Sequence, residues 1–316
     1  MKKVSILVPC YNEVENAELM ADTLVNVLEE TLPQYDYEIV FIDNCSTDGT
    51  RDVIERLCAA NNKIKAIFNV TNFGQFNSPF HGMCQCTGDC VIPIVCDFQD
   101  PVELIPVFIK KWEEGHKIVS GIKTSSREPG IIYFLRTVYY KLIKNMSDVK
   151  MIEHFTGFGL YDRTFIELLK RLDDPIPFMR GIVAEYGAGF NMIEVEYEQP
   201  KRRAGKTHNN FYSLYDAAML SFTSYTKIGL RLATFVGLVC SGISFVIAIV
   251  YLIMKLSNWS GFQAGAAPMT IGVFFLGGLQ MLFIGLIGEY ILNINTRVIN
   301  RPVVVEEKRI NFDKEA

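Results

Sequence analysis

The sequence predicts an α/β fold, a mixed but mostly parallel sheet flanked by helices, continued by a C-terminal pair of membrane-spanning helices. Three observations carry this expectation. Short β-branched runs alternate with amphipathic stretches through the N-terminal part of the chain, and alternation with short connections implies parallel strands joined by right-handed crossovers. Two of those runs end in carboxylate-bearing turns, Val8 to Glu13 (VPCYNE) and Asp43 to Thr50 (DNCSTDGT). Residues 232–254 and 268–287 hold no charged side chain.

The elements follow in order. Val4 to Val8 reads as a strand and leads to a helix over 15–30, on which Leu19, Leu24, Val27 and Leu28 recur at helical spacing. Glu38 to Ile42 is the second strand, and the next helix runs from Asp48 to Ala60 with Asp48 or Thr50 as its cap. Lys65 to Asn69, Gly74 to Thr87 and Val91 to Val95 read as strand, helix and strand. Glu103 to Glu114 is a helix and Lys117 to Gly121 a strand. From 122 to 210 the pattern loosens. Tyr133 to Lys144 and Asp162 to Leu172 read as helices, Ile193 to Tyr197 as an exposed strand, and Lys201 to Lys206 (KRRAGK) as a basic loop.

A net charge of −4 over 316 residues argues against nucleic acid as a partner. The mean hydropathy of +0.18 is high for a chain with 21% charged residues, and its source is local to residues 232–292. Lys2 and Lys3 precede an apolar run that ends at Pro9, too short for a signal peptide. The cysteine cluster Cys84, Cys86, Cys90 and Cys96 invites a zinc reading, but no C-x2-C pair is present and Cys90 and Cys96 bracket a strand. Reduced, semi-buried thiols of a cytosolic domain are the favoured reading.

Each uncharged stretch reaches the roughly 20 residues a helix needs to cross a bilayer. A pair of buried core helices is the alternative. Arg202, Arg203, Lys206, Lys227 and Arg231 precede the first stretch, and Arg297, Arg301, Lys308 and Arg309 follow the second. The positive-inside rule then puts both termini in the cytoplasm. The expected organisation is a cytosolic domain over 1–210, an amphipathic juxtamembrane helix over 211–229, two spans within 230–295 and a cytosolic tail over 296–316.

Carboxylates at the carboxyl ends of successive parallel strands converge on one crevice, where α/β sheets bind ligands. No glycine-rich phosphate loop follows the first strand, so a dinucleotide-dependent oxidoreductase is set aside. The strand end Pro9-x-Tyr11-Asn12-Glu13, the pair Asp43-Asn44, Asn72-Phe73-Gly74-Gln75, the segment PIVCDFQDPVEL at 93–104 and the basic stretch QPKRRAGKTHNNF at 199–211 together resemble the family 2 glycosyltransferases. With Gly288-Glu289-Tyr290 and Asn300-Arg301-Pro302 they resemble its polyprenyl-phosphate subgroup, which includes bactoprenol glucosyltransferases and dolichyl-phosphate mannose synthase.

The resemblance implies a GT-A, Rossmann-like fold and inverting transfer of a sugar from a nucleotide diphosphate to a polyprenyl phosphate, undecaprenyl phosphate in a multi-pass protein of the bacterial inner membrane. UDP-glucose is the first-choice donor, with GDP-mannose and UDP-linked amino sugars open. Carried over, Pro9, Tyr11, Glu13, Asp43, Asn44, Gly74 and Gln99 bind the nucleotide sugar. Asp97 is the metal residue for Mg2+ or Mn2+, which needs only one or two protein carboxylates when phosphates fill the shell. Arg202, Arg203 and Lys206 are the catalytic cations that hold the acceptor phosphate, with Arg127 and Arg136 as secondary candidates. An acceptor phosphate is already anionic and needs no general base. Small residues at Gly237, Gly242, Gly277 and Gly278 fit helix packing between copies, and the resemblance implies a homotetramer.

Plainer readings stand beside these. Asp43 can serve an Asx-turn, Asp100-Pro101 can simply start a helix, and the basic stretch can be a patch attracted to anionic lipid. The chain departs from the family pattern at Asn44, where many relatives have Asp, and at Val95, which replaces the first Asp of the metal motif. Those departures motivate the rival reading, a degenerate membrane-anchored scaffold for a partner glycosyltransferase or flippase. A processive polysaccharide synthase is disfavoured because Q-x-x-R-W is absent.

Overall fold

The computed structural model describes residues 1–125, 152–172, 174–175, 177–200, 202–204, 216, 219–220, 222–224, 228–257, 266–299 and 301–312. Among these, one sheet runs in the order β7-β5-β6-β4-β1-β2-β3-β8. Its parallel centre is β4 (Cys90–Pro93), β1 (Lys3–Cys10), β2 (Asp36–Asp43) and β3 (Ile64–Asn69). These strands are buried on both faces, which is why they read as continuous β-branched runs rather than as alternating ones.

Helices α1 (Ala17–Thr31) and α2 (Thr50–Ala60) pack on one face, and α3 (Gly74–Gln85) covers the other. The N-cap of α2 is Gly49 (φ +97°), which supplies no side-chain cap, rather than the expected Asp48 or Thr50; Asp48 Oδ1 instead accepts from the Thr50 N–H at 3.0 Å in a turn just ahead of the helix. A 3-10 turn at Val102–Leu104 opens α4 (Ile105–Glu113). Next to it lie β5 (Ile118–Ser125), β6 (Phe155–Asp162), α5 (Arg163–Arg171), α6 (Met179–Tyr186) and β7 (Met192–Glu198). The helix expected over Tyr133 to Lys144, and Arg127 and Arg136 with it, lie outside the described residues.

Two strands carry no strand signal in the sequence. β6 pairs antiparallel with both β4 and β5, and its two glycines lower its intrinsic strand preference. Gly159 has a packing reason: a Cβ there would collide with the Val119 carbonyl on β5. β8 (Glu306–Ile310), in the segment expected as a tail, pairs antiparallel with β3 and closes that sheet edge. Asn311 donates to the carbonyls of Cys58 and Ile64 at 2.7 and 2.8 Å and fixes its end.

At the end of the sheet remote from those turns, Glu38 is 1% exposed yet ionised. Burial alone would raise its pKa. Hydrogen bonds from Lys65, Ser5, the Thr87 N–H and Lys3 outweigh that and hold it at about 2.

Two long helices, α7 (Ile228–Ser257) and α8 (Ala266–Ile299), carry exposed apolar residues such as Phe235, Leu238, Val273, Phe275 and Met281. Here the structure corrects the sequence. Among the described residues, one stretch is long and apolar enough to cross a membrane, Phe275–Ile299, with 25 residues and a mean hydropathy of 1.7. The expected two-span hairpin and the multi-pass localisation therefore do not hold. A crossing needs about 20 apolar residues in one helix, and no described stretch of α7 meets that requirement. The second expected span also shifts, because α8 continues past Glu289 to Ile299.

Candidate active site

The carboxyl ends of β1, β2 and β4 form the crevice. The chain leaving β1 turns at Asn12 (φ +56°) and the chain leaving β2 at Cys45 (φ +66°). The two turns are laced together. The Asn12 N–H donates to Ser46 Oγ at 2.8 Å, the Thr47 N–H to Asn12 Oδ1 at 2.8 Å, and the Glu13 N–H to Thr50 Oγ1 at 2.8 Å. This lacing aims Glu13, 8% exposed, back toward the end of β4. Asn16 Nδ2 donates to Glu13 Oε2 at 2.7 Å. Burial raises the Glu13 pKa, against the bonds from Asn16 and Arg202.

After β4 the loop Asp97-Phe98-Gln99 bends sharply, with Phe98 at φ +61°. A bulky residue in the left-handed region is strained and needs support. Asp97 Oδ1 accepts from the Gln99 N–H at 3.0 Å, and the Arg203 guanidinium lies over the Phe98 ring, 5.7 Å from its centroid. The Arg203 N–H also donates to the Asp97 carbonyl at 3.3 Å. Arg202 and Arg203 of the basic segment thus pack onto the Asp97 loop rather than standing apart from it. Arg202 goes deepest: its guanidinium hydrogen-bonds Glu13 and lies 3.8 Å from Asp97 Oδ2. Lys206 lies outside the described residues.

Asp43 is fully buried. Its Oδ2 accepts from Arg51 Nε at 3.0 Å and from the Ser46 N–H, three residues on, at 3.1 Å. Its Oδ1 is buried without a hydrogen-bond partner among the described residues, as is Asn16 Oδ1. Buried acceptors left unpaired are rare and call for an explanation. Asn44 has a different job: its Nδ2 donates to Asn72 Oδ1 and the Gly74 carbonyl, and its Oδ1 accepts from Asn69 Nδ2 and the Phe73 N–H. It therefore pins the loop that carries Gly74. Gly74 takes φ +86° with no atom within 4 Å of a Cβ position, so its backbone angle, not close contact, asks for glycine.

Pro9 and Tyr11 sit half-buried at the β1 end, and Gln99 half-buried beside Asp97. Val95 is 39% exposed. Asp100 points away from the crevice into the protein, where Tyr197 Oη donates to its Oδ1 at 3.2 Å, and burial pushes its pKa up to about 6. The structure thus brings Glu13, Asp97, Gln99, Arg202 and Arg203 together, with Asp43 and Asn44 lining the neighbouring turn. Sequence reasoning missed Asn16, just ahead of α1, and Arg51 on α2, polar residues whose roles depend on strand ends they reach only in the fold. Within the cysteine cluster, burial pushes the pKa of the Cys84, Cys86 and Cys90 thiols upward, to about 11 for Cys84. Among the described residues no group of three or more His, Cys, Asp or Glu is placed to hold a metal on its own.

The model for "Glycosyl transferase family 2" matches residues 5–169. The chain is 34% identical to the "prophage bactoprenol glucosyl transferase homolog" of Escherichia coli (strain K12), over 92% of this chain and 93% of that one. It is 34% identical to the "bactoprenol glucosyl transferase" of Shigella phage SfX, over 95% of this chain and 97% of that one. Among solved structures, mannosyl-3-phosphoglycerate synthase from Rubrobacter xylanophilus shares the fold, with a TM-score of 0.50 at 14% identity over 84% of this chain and 78% of that one. By the family model and by relatives 34% identical over nearly the whole chain, the chain belongs to glycosyl transferase family 2.

Proposed function

We propose that this chain transfers a sugar, with inversion, from a nucleotide diphosphate sugar to a polyprenyl phosphate at a membrane surface, with UDP-glucose and undecaprenyl phosphate as the first-choice pair. The observation that carries the reading is the convergence of Glu13, Asp97 and Arg202 at adjacent strand ends. That cluster offers both carboxylates and a cation where a diphosphate would meet an acceptor. The named relatives above support the lipid acceptor.

Asp43 Oδ1, a buried acceptor without a donor among the described residues, favours a nucleobase with a ring N–H, as uracil and guanine both have. The donor set suits Mg2+ or Mn2+: Asp97 and Glu13 are oxygen ligands that already share one cationic group, and the phosphates of the donor would complete the shell. When bound, such an ion supplies charge neutralisation on the leaving diphosphate. Arg202 then exchanges carboxylate partners for phosphate oxygens, and with Arg203 and Lys206 it positions the acceptor phosphate in line with the anomeric carbon. Catalysis on this reading is positioning and electrostatics. The chain works as a homo-oligomer, a tetramer by family resemblance.

The test is transfer of labelled sugar from a panel of nucleotide sugars to undecaprenyl phosphate by the purified full-length chain with Mg2+ or Mn2+. A mild-acid-labile labelled lipid is the expected product. Folded protein that binds UDP or GDP but labels no lipid with any donor would overturn the acceptor assignment.

A further inference from the structure

Arg51 meets the buried carboxylate of Asp43 at a single point. Its Nε donates to Asp43 Oδ2 at 3.0 Å, while its Nη2 donates to the Asn69 carbonyl at 3.2 Å and to Glu307 Oε2 at 2.7 Å. Nε and Nη2 form one edge of the guanidinium fork, and that edge matches the two oxygens of a carboxylate. Here both Nη2 hydrogens are engaged elsewhere, and Asp43 Oδ1 stays buried without a hydrogen-bond partner among the described residues. A half-paired carboxylate beside an arginine able to grip both its oxygens is not what stability alone would select.

The edge strand β8 is shaped to deliver Glu307 to that arginine. Its pairing with β3 slips between Phe68 and Asn69: Phe68 lies opposite Lys308, but Asn69 lies opposite Glu306. Glu307 is therefore the extra residue of a β-bulge, a feature that re-aims a side chain. The effect shows on α2. Consecutive side chains of a regular strand point to opposite faces, yet Glu307 and Lys308 both reach α2, at Arg51 and at Glu55. The Phe68 ring, its centroid 5.1 Å from the guanidinium carbon, backs Arg51. The Glu307 side chain is 53% exposed, and an ion pair so open to water contributes little to stability. The bulge thus serves the geometry of Arg51 more than the strength of the fold.

We propose that Glu307 is a positioning residue for nucleotide recognition: it holds Nη2 of Arg51 away from Asp43 and so keeps Asp43 Oδ1 open to the ring N–H of the donor's base. The inference rests on the reading of Asp43 as the base acceptor, and it adds to the donor site a residue from a strand near the other end of the chain. Without Glu307, Arg51 turns about its Nε contact and makes a second bond to Asp43. The base then loses its acceptor, while the diphosphate end of the site, at Glu13, Asp97 and Arg202, is untouched. Glu307 acts only through Arg51 and makes no contact with the nucleotide.

The test is calorimetry on the full-length chain with UDP, CDP, GDP, ADP and inorganic pyrophosphate, each with Mn2+. UDP and CDP differ at the ring nitrogen, which carries a hydrogen in uracil and none in cytosine, and GDP and ADP differ in the same way. The wild-type chain should prefer UDP to CDP, or GDP to ADP, by about tenfold, and Glu307→Ala should reduce that preference about fivefold. Pyrophosphate affinity should stay within about twofold, since only the base contact is lost. Thermal midpoints confirm that the variant is folded. A base preference unchanged in Glu307→Ala would overturn the role of Glu307 and leave the donor reading standing. Equal losses for UDP and pyrophosphate would show general loosening and overturn it as well. A wild-type chain that binds neither UDP nor GDP, or that binds both members of each pair alike, would overturn the reading of Asp43 itself and this inference with it.

Discussion

The Arg202 guanidinium lies 3.8 Å from Asp97 Oδ2 while hydrogen-bonding Glu13, so a residue of the basic segment holds the place between two carboxylates that the proposed function gives to a divalent cation. Two charges cannot share that place at close range. Arg202→Ala should therefore raise the affinity for Mn2+ alone several-fold while lowering sugar transfer by at least about a hundredfold. Electron paramagnetic resonance of free Mn2+ reads the first effect without turnover. Unchanged Mn2+ affinity would show that the guanidinium and the metal do not compete.

Asn44→Asp, nearly isosteric, should harm this chain. Nδ2 of Asn44 donates to Asn72 Oδ1 and the Gly74 carbonyl, and a carboxylate would face both acceptors instead. The expected cost is about 1–3 kcal/mol of stability in urea unfolding, with weaker UDP binding as the Gly74 loop loosens. An unchanged midpoint would mean that the loop is held by other contacts.

Arg51 is the cation of the fully buried Asp43, and it also donates to the Asn69 carbonyl at 3.2 Å and pairs with Glu307 at 2.7 Å. Arg51→Ala leaves that carboxylate without its cation and should cost about 3 kcal/mol. UDP affinity should fall with it, since Asp43 loses its orientation. Calorimetry with UDP on the folded variant separates the two effects.

Glu38 sets an acid limit on the fold. Its folded-state pKa of about 2 lies below its ordinary 4.5, so its contribution is complete above about pH 4.5 and is lost as pH falls toward 2. Glu38→Gln should flatten the fall in stability across that window and cost about 3 kcal/mol at pH 7, because Lys65 and Lys3 lose their shared partner. Urea midpoints at several pH values check both.

A chain ending at Pro302 lacks β8 and reopens the β3 edge. It also frees Arg51 from Glu307 and His81 from Glu306. Hydrogen exchange should show the amides of Ile64–Asn69 losing protection while β1 and β4 keep theirs. Full protection in β3 would make β8 an incidental contact.

Local pattern was enough for the parallel centre of the sheet. β1 to β4 are buried on both faces, so their β-branched runs stand out in one dimension, and the turns that end β1 and β2 name Glu13 and Asp43 without any structure. Chain separation hid the rest. β6 carries glycines because β5 passes close to Gly159, and β8 is a short charged strand that becomes one only against the β3 edge. The contact of Arg202 with Glu13 spans 189 positions in sequence, and charge alone could not say whether that arginine faces lipid, acceptor or donor crevice. The two apolar stretches suggested two spans, but a crossing depends on the length and apolarity of a continuous helix, which Phe275–Ile299 meets among the described residues. The sequence by itself determined which strands are buried and which strand ends carry carboxylates, because burial and turn chemistry are written locally. Only the tertiary structure decided which distant cation those carboxylates meet, because hydrogen bonds and ion pairs act over a few ångströms of space rather than along the chain.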